Sequence, residues 1–304
     1  TYGRLYEPAD FSSISTTAKL AFDALATQDF ERVIKALRDA ARLLESYGGS
    51  LDLVAQLRGD ADGLRELLVQ TIAASHPAWP GEIEEEEYEA CRRFLSNFDT
   101  VYTFNYDLLL YWTQMHTAEG EPPDSDDGFR ASADDFDASY VVWEPGQSHE
   151  QNMWFLHGAL HVFDSGIEIQ KYTWSKTGVR LIDQIRDALS KNLFPIFVSE
   201  GTSAEKYERI RHNDYLAKAY RSFGSIGGAL FIYGHSLAEN DDHYLKCIRK
   251  GKVSHLYVGL YGAPDSDANK FIARRAAQLS DGRRAKNPLV VTYFDAASAK
   301  VWGR

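Results

Sequence analysis

The sequence predicts an α/β protein, with a mostly parallel sheet covered by helices on both faces and a helical portion near the N-terminus. Three observations carry that expectation. From residue 99 onward, short β-branched and aromatic runs alternate with stretches of helical period, as crossover units do. Those runs are nearly continuous in apolar residues, which suits strands buried on two sides. Residues 1–98 show helical patterning instead, so the chain divides into a helical portion, 1–98, and a core, 99–304.

Each element has a local reason. Phe22, Leu25, Phe30, Val33, Ile34 and Leu37 recur at helical spacing over 11–46, and Asp29 suits an N-cap before Phe30. Leu53, Leu57, Leu64, Leu67, Leu68 and Ile72 form one stripe over 51–75. Residues 76–81 are a Pro/Gly break. "EIEEEEYEACRRFLSNF" (82–98) is a helix with acids in its first turns and Arg92–Arg93 near its end, matching the helix dipole; its charge run is a solvated face. "DTVYTFNYD" opens the core with a strand. Residues 119–137 are a polar, acidic segment with two adjacent prolines, expected to be a mobile loop. Strands follow at "YVVWEP", "NMWFLHGALHVF" and "LFPIFVSEG" (193–201), then a helix over 203–223 with Ser203 as N-cap. "GGALFIYGHSL" (227–237) is a continuous apolar strand. A helix (241–250), a strand (254–262), a helix (267–280) and a strand (288–294) complete the alternation.

Composition narrows the function. The chain of 304 residues has a formal charge of −11 and a pI of about 5.3, against a general nucleic-acid or anionic-membrane surface. Cys91 and Cys247 are too few for a disulfide framework or a four-cysteine zinc site, and no metal is expected. No apolar run reaches the length of a membrane span, and no signal peptide is visible, so a cytoplasmic location is expected. The chain opens at Thr1 without Met, which predicts a preceding N-terminal piece.

Ligands of parallel α/β sheets sit beyond the carboxyl ends of the strands. Asn105 with Asp107, Ser199 with Glu200, and Gly234-His235-Ser236 all occupy strand exits, and in one sheet they would converge on one crevice. Each also has a plain reading. Asn105 and Asp107 suit a turn, "YGHSL" a strand ending tightly, and His157 a core histidine. His157 alternates onto the face of Phe155, so a bulge at Gly158 would be needed to turn its ring into the crevice. His161 and His243 are read as structural or surface residues.

"TFNYD" (103–107) resembles the strand end of sirtuin-like, silent-information-regulator-type NAD-binding domains. "LHG" (156–158) is similar to their catalytic strand, and "FIYGHSLAENDDHYLKCI" (231–248) to a late strand of bacterial sirtuin-like defence proteins. With "PIFVSEGTSAEKYERI" and "YGRLYE", the set resembles a bacterial branch described only as a domain of unknown function. The resemblance implies a Rossmann-like core and an NADase (NAD glycohydrolase) of the anti-phage, abortive-infection kind. NAD would be the substrate, with nicotinamide and ADP-ribose as products. Asn105 would hold a ribose hydroxyl and a water, since an amide both donates and accepts. His157 would be a general base with a pKa near neutral. Tyr106, Asp107, Gly158, Ser199, Glu200, Gly234, His235 and Ser236 would line the NAD site, with Tyr106 leaning to the core and Asp107 orienting the loop or amide. Such an activity implies a gate: a homo-oligomer, or a partner such as a HerA-type hexameric ATPase or an Argonaute-like sensor.

Two departures from that pattern stand out. No first strand and Gly-rich phosphate loop precedes Tyr2, and the four-cysteine zinc ribbon of protein-deacylating sirtuins is absent. The second turns the expectation from peptide deacylation to direct NAD hydrolysis. The alternative is a non-catalytic module that senses NAD or ADP-ribose and regulates a partner ATPase or nuclease.

Overall fold

The computed structural model describes residues 9–74, 77, 79–116, 125–135, 137–146, 150–173, 180–191, 193–198, 202–281, 283 and 286–303. After a short 3-10 turn at Phe11–Ser13, the helices α1 (Thr16–Ala24), α2 (Phe30–Ser46), α3 (Leu51–Ala74) and α4 (Glu85–Leu95) run in order. Then come β1 (Val101–Thr103), α5 (Leu109–Met115), β2 (Phe129–Ala131), β3 (Tyr140–Trp143), β4 (Met153–Phe155), β5 (Gly158–Asp164), β6 (Ile169–Tyr172), α6 (Leu181–Ser190) and β7 (Pro195–Phe197). The chain closes with α7 (Ser203–His212), α8 (Asp214–Ser225), β8 (Gly227–Ile232), α9 (Asp242–Lys250), β9 (Lys252–Leu260), α10 (Asp267–Asp281) and β10 (Val290–Asp295).

The chain falls into two compact units. Of the described residues, the first takes those of Thr1–Glu82, Arg130–Val142 and Ala159–Glu200. Its helices follow the sequence closely. Asp29 accepts the Arg32 amide at 3.2 Å and starts α2, a cap worth about 1 kcal/mol. Phe22, Phe30, Val33, Ile34 and Leu37 are buried. On α3 the buried stripe is Val54, Ala61, Leu64, Leu67 and Leu68, whereas Leu53 is exposed. The sheet of this unit orders β2-β3-β6-β5-β7, with β5 and β6 antiparallel. His161 is fully buried on β5, in line with a structural role.

The second unit takes the described residues of Ile83–Phe129, Trp143–Gly158 and Gly201–Arg304. Here β1 and β4 form a parallel pair, and β10-β9-β8 a separate parallel sheet. The single sheet expected from the alternation is therefore three sheets among the described residues, because strand pairing is decided by distant partners and not by local pattern. The continuous apolar run of β8 is not buried on both faces either. β8 is an edge strand, and its Phe231 is 44% exposed.

Other expectations are refined. The helix expected over 203–223 is two, because Asn213 takes an extended conformation and caps α8 through the Leu216 amide. The N-cap of α7 is Thr202, not Ser203: Thr202 and Glu205 form a reciprocal capping box. Within the acidic segment 119–137, residues 125–131 are structured and not loose. Asp126 accepts the Gly128 amide, and Asp126 N–H donates to Asn152, which leads into β2. Residues 119–124 and 136 of that segment lie outside the described residues.

Candidate functional site

The site is assembled within the second unit, beginning with the β1–β4 pair. Val101, Tyr102 and Thr103 pair with Met153, Trp154 and Phe155, and the Leu156 amide donates to the Thr103 carbonyl at 2.8 Å. The strand that carries His157 ends at Phe155, and Leu156–His157 form a turn. Gly158 then takes a φ of +80°, a left-handed conformation that favours glycine, and starts β5. Two tyrosines pin the turn. Tyr215 accepts the Phe155 amide at 3.0 Å, and Tyr244 donates to the Leu156 carbonyl at 2.9 Å.

His157 is thereby fixed, but not in an open crevice as expected. It is 6% exposed, and its ring packs on Phe104 (4.7 Å between centroids), Tyr244 (5.8 Å) and His243 (6.1 Å). These rings close over the imidazole, and its desolvation lowers the pKa from 6.5 to about 3. Asp241 works against that shift, while Lys206, His243 and His235 add to it. The near-neutral base read from the sequence is a buried, neutral imidazole in the free protein.

Behind His157 lies a charged cluster. Asp241 precedes α9 at an N-cap position, yet its carboxylate does not cap the helix. Instead Oδ1 accepts from Lys206 Nζ at 2.8 Å and lies 3.5 Å from His157 Nε2, while Oδ2 lies 3.3 Å from His235 Nε2. Lys206, on the buried face of α7 one turn before Ile210, is 1% exposed. Burial works to raise the Asp241 pKa; the hydrogen bonds from His235 and Lys206 outweigh it and hold the group well below the usual carboxylate range. The Leu237 amide donates to His235 Nδ1 at 3.0 Å, so the ring proton of neutral His235 sits on Nε2, facing Asp241.

His243 completes the cluster. It is 4% exposed, not a surface residue, and burial lowers its pKa to about 4. Ser203, freed from capping α7, accepts the His243 amide at 2.8 Å and pairs with His243 Nδ1 at 3.1 Å. The Nε2 atoms of His157 and His243 are both enclosed, with no hydrogen-bond partner among the described residues. His157, Asp241 and His243 each place one ligand atom within 4.8 Å of the others, a donor set that suits a divalent transition ion. Lys206, however, already sets a positive charge on Asp241 Oδ1, and a divalent ion held by that oxygen would face an ammonium in a desolvated pocket.

Other residues singled out by the sequence divide into three groups. Asn105 is exposed, follows Phe104 directly, and makes no side-chain hydrogen bond among the described residues. Phe104 packs on His235 as well as His157, at 4.6 and 4.7 Å. Gly234 (φ +68°) and Ser236 flank His235 and are exposed, and a Cβ built at Gly234 would meet nothing within 4 Å. Asp107 shapes a local turn, accepting the Leu109 amide at 2.9 Å, and Tyr106 beside it is half-buried. Ser199 and Glu200 lie outside the described residues. The sequence does not single out Lys206 and Asp241, and His243 is read there as a structural or surface residue. The signal available for Lys206 was its place four residues before Ile210 on one helical face.

A family model described as "Domain of unknown function (DUF4917)" matches residues 1–302. The chain belongs to the DUF4917 family. No curated protein and no solved structure matches it. Among the described residues of this DUF4917 chain, no helix is long and apolar enough to cross a membrane.

Proposed function

We propose that this DUF4917 chain hydrolyses NAD at the nicotinamide–ribose bond, taking up one water and releasing nicotinamide, ADP-ribose and a proton. The reading rests on one observation above others. Phe104, the residue before Asn105, packs on both His157 and His235, so "TFNYD", "LHG" and "YGHSL" converge on one place. Those are the three segments that resemble sirtuin-like NAD-binding domains.

In this reading Asn105 is the exposed group that holds a ribose hydroxyl and the attacking water. Open space at Gly234 admits the adenosine side, with His235 and Ser236 beside it. His157 accepts the proton released during cleavage. In the free protein it is a weak base, so substrate must complete its environment before it works. A Rossmann-like arrangement and a role as a defence effector held in check by oligomerisation or by a partner ATPase or sensor belong to the same proposal.

One observation favours the second reading, a non-catalytic NAD or ADP-ribose sensor: the depressed proton affinity of His157. The two separate in one assay. The chain is incubated with NAD, and nicotinamide is followed by chromatography while binding is followed by calorimetry. Nicotinamide release in step with loss of NAD supports hydrolysis. Saturable binding with NAD left intact establishes the sensor.

A further inference from the structure

We propose that Asp241 is a positioning residue that holds the proton of neutral His157 on Nε2 and leaves Nδ1 as the atom that accepts a proton. This deepens the hydrolytic reading and rests on it.

The geometry distinguishes the two ring nitrogens. Nε2 is fully enclosed, and the one carboxylate oxygen within reach is Asp241 Oδ1 at 3.5 Å. Asp241 makes its nearest approach at Nε2, which leaves Nδ1 as the ring nitrogen that does not face the carboxylate. A neutral imidazole carries one proton and one lone pair, and the hydrogen bond made at one nitrogen decides which is which. At 3.5 Å the Asp241 contact is longer than a hydrogen bond, and the negative charge facing Nε2 favours an N–H there over a lone pair. When Nδ1 takes a proton from a ribose hydroxyl or a water, the ring becomes an imidazolium with Nε2–H still facing Asp241. The new positive charge then lies against a carboxylate already in place.

Asp241 is in turn prevented from moving. Lys206 holds Oδ1 from α7, and His235 holds Oδ2 from the loop after β8. His235 cannot take an opposing role, because the Leu237 amide occupies its Nδ1. Two separate elements, α7 and the loop after β8, therefore hold the two oxygens of one carboxylate. The aspartate that precedes α9 has been diverted from capping, which is the ordinary use of such a residue.

The test uses the full chain labelled with 15N-histidine and long-range 1H–15N correlation, with His157 assigned by loss of its signals in His157→Gln. The expected spectrum shows a protonated Nε2 and an unprotonated Nδ1. Asp241→Asn should lose that fixed form and lower turnover of NAD by about 10²-fold or more, with KM changed less than about 3-fold. An Nδ1–H ring in the unsubstituted chain overturns the proposal, and so does an Asp241→Asn chain that keeps both the Nε2–H form and full turnover. Where Asp241→Asn does not fold, the spectrum of the unsubstituted chain alone decides. If that chain releases no nicotinamide, the hydrolytic reading fails by itself, and the same spectrum still supports or overturns the Asp241 clamp.

Discussion

The buried histidines predict a protein that weakens in mild acid, and the size of the effect can be worked out. His157 and His243 have native pKa values of about 3 and about 4, against 6.5 for the ordinary group. A lowered pKa in the native state means the unfolded chain binds more protons below about pH 6.5. Stability is therefore present above that pH and is lost as pH falls toward the native values. At pH 5 each unfolded histidine is protonated while each native one is largely not. Each pKa unit is worth about 1.36 kcal/mol, and roughly 1.4 units are in play between pH 7 and pH 5. That gives about 2 kcal/mol for each histidine and about 4 kcal/mol for the two.

Urea unfolding at fixed ionic strength measures this directly. With a slope of about 2–3 kcal/mol per molar, the midpoint should fall by about 1–2 M from pH 7 to pH 5. His157→Gln and His243→Gln should each remove about half of the pH dependence, whatever they do to stability at pH 7. Groups elsewhere contribute equally to every variant and cancel in the difference. A further loss below about pH 4 is expected from Asp241, whose native pKa is lowered and whose contribution vanishes as it protonates. A midpoint that stays level from pH 7 to pH 5, or a double variant that keeps the full slope, would refute the burial argument for both rings.

Asn105→Ala should lower NAD turnover by about 10²-fold or more, with little change in melting temperature, because the side chain is exposed and makes no hydrogen bond among the described residues; a sharp fall in stability with activity retained would make it a turn residue. Gly158→Ala forces an L side chain to a φ of +80° and should cost about 1–2 kcal/mol in a denaturant melt. Lys206→Met leaves the Asp241 charge buried without its ammonium and should cost about 3–5 kcal/mol, most of it recovered when Asp241→Leu is added. If the double variant is no more stable than Lys206→Met, the ion pair is not the source of the loss.

Local elements could be read from the chain, and long-range ones could not. Asp29 and the buried stripe of α2 are visible in sequence because caps and helical faces depend on neighbours within a few residues. The Thr202–Glu205 capping box is legible as T-x-x-E, whereas Ser203 next to it is also a good cap by residue type. The partition of strands into separate sheets depends on partners such as β1 and β4, which lie far apart in the chain. The strand exits at Asn105 and His235 could be picked out by their recurrence on several strand ends and their resemblance to known motifs, because Gly and Asn at a single strand end are ordinary turn residues. Asp241 was hidden for the opposite reason. "ENDDHYL" reads as an ordinary acidic helix start, and nothing nearby indicates that its carboxylate turns toward Lys206 and His235.

That hidden cluster bears on which function is preferred. Stability does not account for it. A buried ion pair is often replaceable by apolar side chains without loss, and two enclosed imidazole nitrogens without partners cost free energy of their own. Apolar residues packed among Phe104, Tyr220 and Tyr244 would make a more stable core. Asn105, His235 and Ser236 supply donors and acceptors for a ligand, and Asp241 contacts His235 as well as His157. When the ring gains a proton, that carboxylate faces the new charge. In the proposed hydrolysis His157 would gain and lose a proton within each cycle, and a carboxylate held beside the ring suits that role.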